Sequence, residues 1–346
     1  MSIKPVSTLI HAGIILPVDD QNTVLHDHTL VVDQGLIVDL LPKQEALARY
    51  QPDEVVDLPE HTLIPGLVNA HAHSPMVLLR GLGDDQPLFD WLQKHIWPAE
   101  AALVKPDFMR DGTMLAVCEM LRSGTTCFAE HYFYPELTAS VAAEMGMRVQ
   151  VGLWVGDVKT PWASDAASCL KLGKKAYDGW QQAHAKHPLV SFAIAPHSPY
   201  MVSDEVFKRI VAWRDADDLR VHIHLHETAQ EIKDSEQAYG MRPLARLHQL
   251  GLVDARLQAV HMTQMNAEDT ALMAKQGASM VTCPASNLKL ASGFAPTHKA
   301  LHAGIVVGLG TDGAASNNGL NMLADMRLAA LLGKAVDGCA DAVFNR

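Results

Sequence analysis

The stretch Pro65-Gly66-Leu67-Val68-Asn69-Ala70-His71-Ala72-His73 decides how the rest of the chain reads. A turn dipeptide launches a short apolar run, and the run ends on two histidines. The same unit then recurs: an apolar strand, a polar residue at its end, an amphipathic helix. Strands are expected at Gly66–His73, Thr125–His131, Arg148–Trp154, Val190–His197, Arg220–Glu227, Leu257–His261, Ser279–Asn287 and Ile305–Asp312. Helical periodicity fills the intervals, as in 107–122, 135–145, 203–214, 242–250, 267–276 and 320–332. Eight alternating units predict an α/β fold, a (β/α)8 TIM barrel over residues 65–346. A doubly wound sheet would carry a G-x-G-x-x-G loop after its first strand, and none occurs.

Residues 1–64 follow another pattern. Stretches 8–18 and 29–40 are rich in β-branched residues and broken by turns, so they read as short antiparallel strands. Stretches 55–58 and 62–64 read as two more, with a short helix over 43–50. This is a small β-sandwich region. The eighth barrel strand ends at Asp312 and its helix at about residue 332, leaving little chain to finish such a sandwich before Arg346. The expectation is an incomplete sandwich, either truncated or a reduced version, with truncation favoured because open strand edges call for partners.

Composition narrows the function. The chain has 346 residues, with 39 acids against 28 bases and a net charge of −11. Nucleic acid and anionic membrane surfaces are poor partners for such a balance. The 5 cysteines are odd in number and widely spaced, which fits reduced thiols in a cytoplasmic protein. No apolar run approaches the ~18–20 residues of a spanning helix, and the N-terminus reads as a strand rather than a signal peptide. The excess is in histidine, with 18 residues.

Those histidines fall at the expected strand ends, where a barrel carries its chemistry. The ends hold His71, His73, His131, His197, His224, Glu227, His261 and Asp312. In His71-Ala72-His73, two imidazoles two residues apart share one strand face. His222, His224 and His226 share a face of the fifth strand; one of them reads as a ligand, and Glu227 beyond them as a proton carrier. Asp312 follows the apolar run 305–309 in Gly310-Thr311-Asp312-Gly313. Singly, each reads equally well as a surface histidine or a turn aspartate. Together they make a three-histidine-plus-carboxylate set suited to one divalent ion, Zn²⁺ or, with Fe²⁺ and Mn²⁺, another of similar preference. No lysine ends the third or fourth strand to bridge two metals. H-E-x-x-H, G-x-S-x-G and the H-x-E…P-C-x-x-C signature of base-flipping deaminases are all absent.

At these residues the chain resembles the amidohydrolase superfamily, through Pro65–His73, His224–Glu227 and Gly310–Asp312. Within it, the sequence is similar to the 5′-methylthioadenosine/S-adenosylhomocysteine deaminase group, neighbours of the s-triazine hydrolases. The matching blocks are Pro75-Met76…Leu79-Arg80-Gly81, Trp97-Pro98-Ala99-Glu100, Pro196-His197-Ser198-Pro199-Tyr200, His224-Leu225-His226-Glu227-Thr228, Pro284–Leu290 and Gly310–Asn318. The resemblance implies that His71, His73, His224 and Asp312 hold the metal. It makes Glu227 the proton shuttle and sets His261 over the attacking oxygen. It implies that Glu100 and His197 contact the ribose hydroxyls and the purine, with Trp91 walling the pocket. His131 lies outside the implied ligand set, either lining the pocket or serving structure.

The activity implied is hydrolytic deamination of an adenine nucleoside: 5′-methylthioadenosine, adenosine or S-adenosylhomocysteine. One departure bears on substrate. Group members that accept S-adenosylhomocysteine readily tend to offer an arginine near the end of the third strand. Between Val149 and Leu170 this chain offers only Lys159, beside Trp154 and Trp162. That favours a neutral thioether or adenosine. The alternatives are another heterocycle, such as guanine or an s-triazine, and a non-catalytic barrel. The partner implied is a small-molecule nucleoside, with a homo-oligomer as the default assembly.

Overall fold

Strands Lys4–Ile15 (β1), Leu25–Asp33 (β2), Leu36–Pro42 (β3) and Tyr50–Leu63 (β4) build a sheet of order β3-β2-β1-β4 in the computed structural model, which describes residues 3–184 and 187–340. β1–β2 and β2–β3 are antiparallel, as expected. The rest of the expectation needs correcting. The two short strands at 55–58 and 62–64 are one continuous strand, β4, and it runs parallel to β1. The cause is the helix Lys43–Arg49, which carries the chain back across the sheet before β4 begins. β4 is an edge strand, so it tolerates Pro52 and Pro59. Gly13 lies against the second of these, where a Cβ would meet the Pro59 carbonyl oxygen at 2.0 Å. Val6, Leu9, Val31, Leu41, Ala46 and Tyr50 form this unit's own core.

From Leu67 onward the chain forms a separate unit. Its strands are Leu67–Ala72 (β5), Thr125–Glu130 (β6), Arg148–Val155 (β7), Val190–Pro196 (β8), Arg220–Leu225 (β9), Leu257–His261 (β10), Ser279–Thr282 (β11) and Val307–Leu309 (β12). They lie in chain order and pair in parallel, the (β/α)8 architecture expected. Helices such as Pro106–Arg122, Asp204–Asp217 and Met322–Asp337 follow the strands. Strand residues Val151, Leu153, Ile194, Val221 and Ile223 and helix residues Met120, Phe207 and Ile210 belong to one buried cluster. No helix among the described residues is long and apolar enough to cross a membrane. The expected barrel limit at residue 346 lies outside the described residues.

The seventh strand is shorter than expected. It ends at Thr282, and Pro284 opens a helix, Pro284–Lys289, because proline suits the first helical position and cannot continue a central strand. Asn287 is therefore a helix residue.

Side chains do much of the closing between β5 and β12. Asn69 Nδ2 donates to Thr311 Oγ1 at 2.7 Å, and its Oδ1 accepts from Thr311 N–H at 2.9 Å. Asp312 N–H donates to the His71 carbonyl at 3.0 Å. Gly310 permits this approach, since a Cβ there would lie 2.8 Å from His71 N and 2.9 Å from His71 O. Gly310→Ala must push the two strands apart. It should lower unfolding free energy by ~1–3 kcal/mol, the usual cost of overpacking, as read by urea denaturation. An unchanged midpoint would show that the seam has slack.

Candidate active site

The strand ends deliver their polar residues to one mouth of the barrel. His71 sits on β5, His73 just beyond it, His224 on β9, and Asp312 after β12. His224 Nε2 lies 3.2 Å from His71 Nε2 and 3.3 Å from His73 Nε2. Asp312 Oδ1 lies 3.3 Å from His71 Nε2 and 3.1 Å from His73 Nε2. Donors on a tetrahedral ion with bonds of ~2.0–2.1 Å stand about 3.3 Å apart. Their other ring nitrogens are already engaged. His73 Nδ1 donates to the His131 carbonyl at 2.5 Å and His224 Nδ1 to the His197 carbonyl at 2.7 Å. Each Nε2 then presents a lone pair, and lone pairs turned on one another call for a cation between them. The donor set fits a divalent metal. Burial alone would raise the Asp312 pKa, but the imidazoles of His71 and His73 hold it well below the usual carboxylate range.

Glu227 and His261 face each other across the same mouth, with Glu227 Oε2 3.8 Å from His261 Nε2. Burial pushes the Glu227 pKa up, against the pull of His261. Two residues that sequence reasoning left without a role orient the group. Asn287 Oδ1 accepts from His261 Nδ1 at 2.9 Å, which turns Nε2 toward the mouth. Ser286 Oγ donates to Asp312 Oδ2 at 2.6 Å. A third, Glu231, takes the N–H groups of His226 and Glu227 at 3.0 and 2.7 Å. Its signal was present in the sequence: Thr228-x-x-Glu231 is a helix-start spacing, and Thr228 caps the helix Ala229–Tyr239.

The cavity above this cluster has a volume of about 230 Å³. His73, His224, Glu227, His261 and Asp312 line one part of it; Leu88, Trp91, Ile96, Trp97, Phe133 and Trp154 line another. Glu100, His197 and Trp91 are all on its wall, while His71, His222 and His226 are buried outside it. His226 follows the end of β9 and its Nε2 accepts from Leu244 N–H, so it does not share the face of His224. Trp91 is anchored by its indole N–H on the Leu82 carbonyl at 3.1 Å. Burial raises the Glu100 pKa to about 7, while the Tyr132 hydroxyl, donating to Oε1 at 2.6 Å, pulls it down. Tyr132 also escaped sequence reasoning, since one tyrosine past a strand end carries no spacing signal. Burial lowers His197 to about 3, so its imidazole is neutral. His131 lines the cavity too, its ring stacked on His224 at 4.5 Å. Lys159 is the one lysine or arginine among the described lining residues.

Comparison with known proteins gives the family. Residues 62–344 match the amidohydrolase family. The 5-methylthioadenosine/S-adenosylhomocysteine deaminase of Saccharophagus degradans is 44% identical, over 98% of this chain and 75% of its own. An adenosine deaminase from Xanthomonas campestris, solved with bound zinc, is 48% identical with a TM-score of 0.95, covering 98% of this chain and 76% of its own. The triazine hydrolase of Arthrobacter aurescens is 25% identical with a TM-score of 0.87, over 96% of this chain and 77% of its own. The family match begins at the end of β4 and takes in every strand of the barrel, and so the chain belongs to the amidohydrolase family.

Proposed function

We propose that this protein is a zinc-dependent hydrolase that removes the exocyclic amino group of an adenine nucleoside, preferring 5′-methylthioadenosine or adenosine to S-adenosylhomocysteine. The observation that carries the reading is the convergence of His71, His73, His224 and Asp312 opposite Glu227, in a chamber that also holds Glu100 and an apolar wall. The deaminase names of relatives 44% and 48% identical support it.

A bound zinc ion would supply Lewis acidity and bring the pKa of water to about 7. The remaining work belongs to the chain. The C6 carbon of adenine is a poor electrophile until N1 gains a proton. Burial raises the pKa of Glu227, which suits it to carry a proton at a carboxyl oxygen and give it to N1. His261, with Nδ1 held by Asn287, offers Nε2 to the oxygen that adds at C6. Asp312 can take the first proton that the adding water loses and pass it to the departing amino group, and Glu227 recovers the second. Water adds at C6, ammonia leaves, and the inosine-type product remains. Glu100, once ionised, accepts hydrogen bonds from the ribose hydroxyls, and neutral His197 contacts the ring. The apolar wall suits a methylthio group. Lys159 alone offers less to an amino-acid carboxylate than a paired arginine would.

An ammonia-release assay on methylthioadenosine, adenosine, S-adenosylhomocysteine, guanine and an s-triazine tests the reading. The first two should lead. A lead for guanine or the triazine overturns the nucleoside assignment. Glu227→Gln should lower kcat by ~10²–10⁴-fold with zinc content unchanged; normal turnover removes Glu227 as the acid. Because the Glu100 pKa is raised to about 7, its carboxylate forms as pH rises through that value. KM for methylthioadenosine should therefore fall as pH rises through about 7. In Glu100→Gln, KM should stay high and flat, and the same slope in that variant would assign the titration elsewhere.

A further inference from the structure

The barrel interior holds a polar chain that the deamination reading does not use. His71 Nδ1 lies 2.7 Å from His222 Nε2, and both rings are buried. His222 Nδ1 lies 3.3 Å from Gln258 Oε1. Gln258 in turn exchanges two hydrogen bonds with Gln150, of 2.7 and 3.3 Å. Gln150 is on β7 and Gln258 on β10; these strands are not neighbours, so the amide pair spans the barrel interior. The His71–His222 separation is shorter than the roughly 3.3 Å between two donors on one tetrahedral ion. It is a hydrogen bond, and His222 is not itself a ligand.

The chain has a direction. Gln258 Oε1 is an acceptor only, so His222 Nδ1 carries a proton and donates it. His222 Nε2 is then the acceptor for His71 Nδ1–H, and the His71 Nε2 lone pair is left facing His73, His224 and Asp312. We infer that His222, held by Gln258 and Gln150, is a positioning residue that fixes the tautomer and the ring orientation of His71 as a metal donor. His73 and His224 take the same support from backbone carbonyls. His71 alone takes it from a side chain, which substitution can remove. The inference rests on His71 ligating the metal.

The test is zinc affinity of the full chain by chelator competition, with the visible spectrum of the Co²⁺ form and unfolding of the metal-free protein measured alongside. His222→Leu should weaken zinc about 10–100-fold and change the Co²⁺ spectrum, with the metal-free unfolding midpoint near the parent's. His222→Gln, whose carbonyl can accept from His71, should recover part of the loss. Gln258→Met should weaken zinc less than His222→Leu, and the double variant should be no weaker than His222→Leu alone. Parental affinity in His222→Leu, or additive losses in the double variant, overturns the inference. If His222→Leu does not fold, parental affinity in Gln258→Met does so. His71→Ala is the separate control: zinc bound there at parental affinity would sink the ligand assignment itself.

Discussion

The seam between β5 and β12 is the constraint on which the site depends. These are the first and last strands of the barrel, more than two hundred residues apart in sequence, and each carries part of the proposed ligand set. His71 and His73 come from one side and Asp312 from the other. The Asn69 amide engages both Thr311 N–H and Thr311 Oγ1, and the next residue bonds the His71 backbone. The imidazoles and the carboxylate oxygen thus meet at 3.1–3.3 Å because the backbone beneath them is already locked. Closure and ligand geometry are one condition. A sheet left open at this edge would keep its helices and much of its core and lose the cluster.

The chain accepts local strain to aim these groups. His226, His261, Met262 and Asp312 all have positive φ, from 51° to 73°. Non-glycine residues in this region cost on the order of 1–3 kcal/mol each and persist where surroundings over-determine them. The surroundings are visible here. Glu231 holds the N–H groups of His226 and Glu227, Thr263 Oγ1 donates to the Glu227 carbonyl at 2.6 Å, and Asn287 holds the His261 ring. The turn at His226 follows the end of β9 and delivers Glu227 to the mouth, and His261 and Asp312 are themselves on its lining.

What was legible in the sequence follows from which interactions are periodic. Apolar runs of strand length, each closed by a polar residue, mark the eight strands, because each run must bury its apolar face and stop at the rim. Both histidines of His71-Ala72-His73 could be paired from strand geometry alone. The Ser279–Asn287 stretch misled because an apolar run does not reveal where the backbone turns; Pro284 was the marker. The parallel setting of β4 was hidden because a helix of only seven residues reverses the chain, and strand pattern carries no direction. Tyr132, Asn287 and His222 gain their roles from partners distant in sequence, and no spacing encodes such a meeting. Asn69 does the same for the seam.

Protonation explains why so many histidines can share one mouth. Burial lowers His197 to about 3 and His222 to about 4, so both rings are neutral at neutral pH. Neutral imidazole is the form that donates at one nitrogen and accepts at the other, and it is the form a metal requires. His73 is the exception: burial works to lower its pKa, but Asp312 beside it raises it. Asp312 is ionised, Glu227 is biased toward its protonated form, and Glu100 stands near its midpoint at neutral pH. The imidazoles beside Asp312 favour its carboxylate, while burial of the acid opposite favours its protonated form. Asp312 and Glu227 are thus shifted in opposite directions, because Asp312 touches two imidazoles while burial dominates at Glu227.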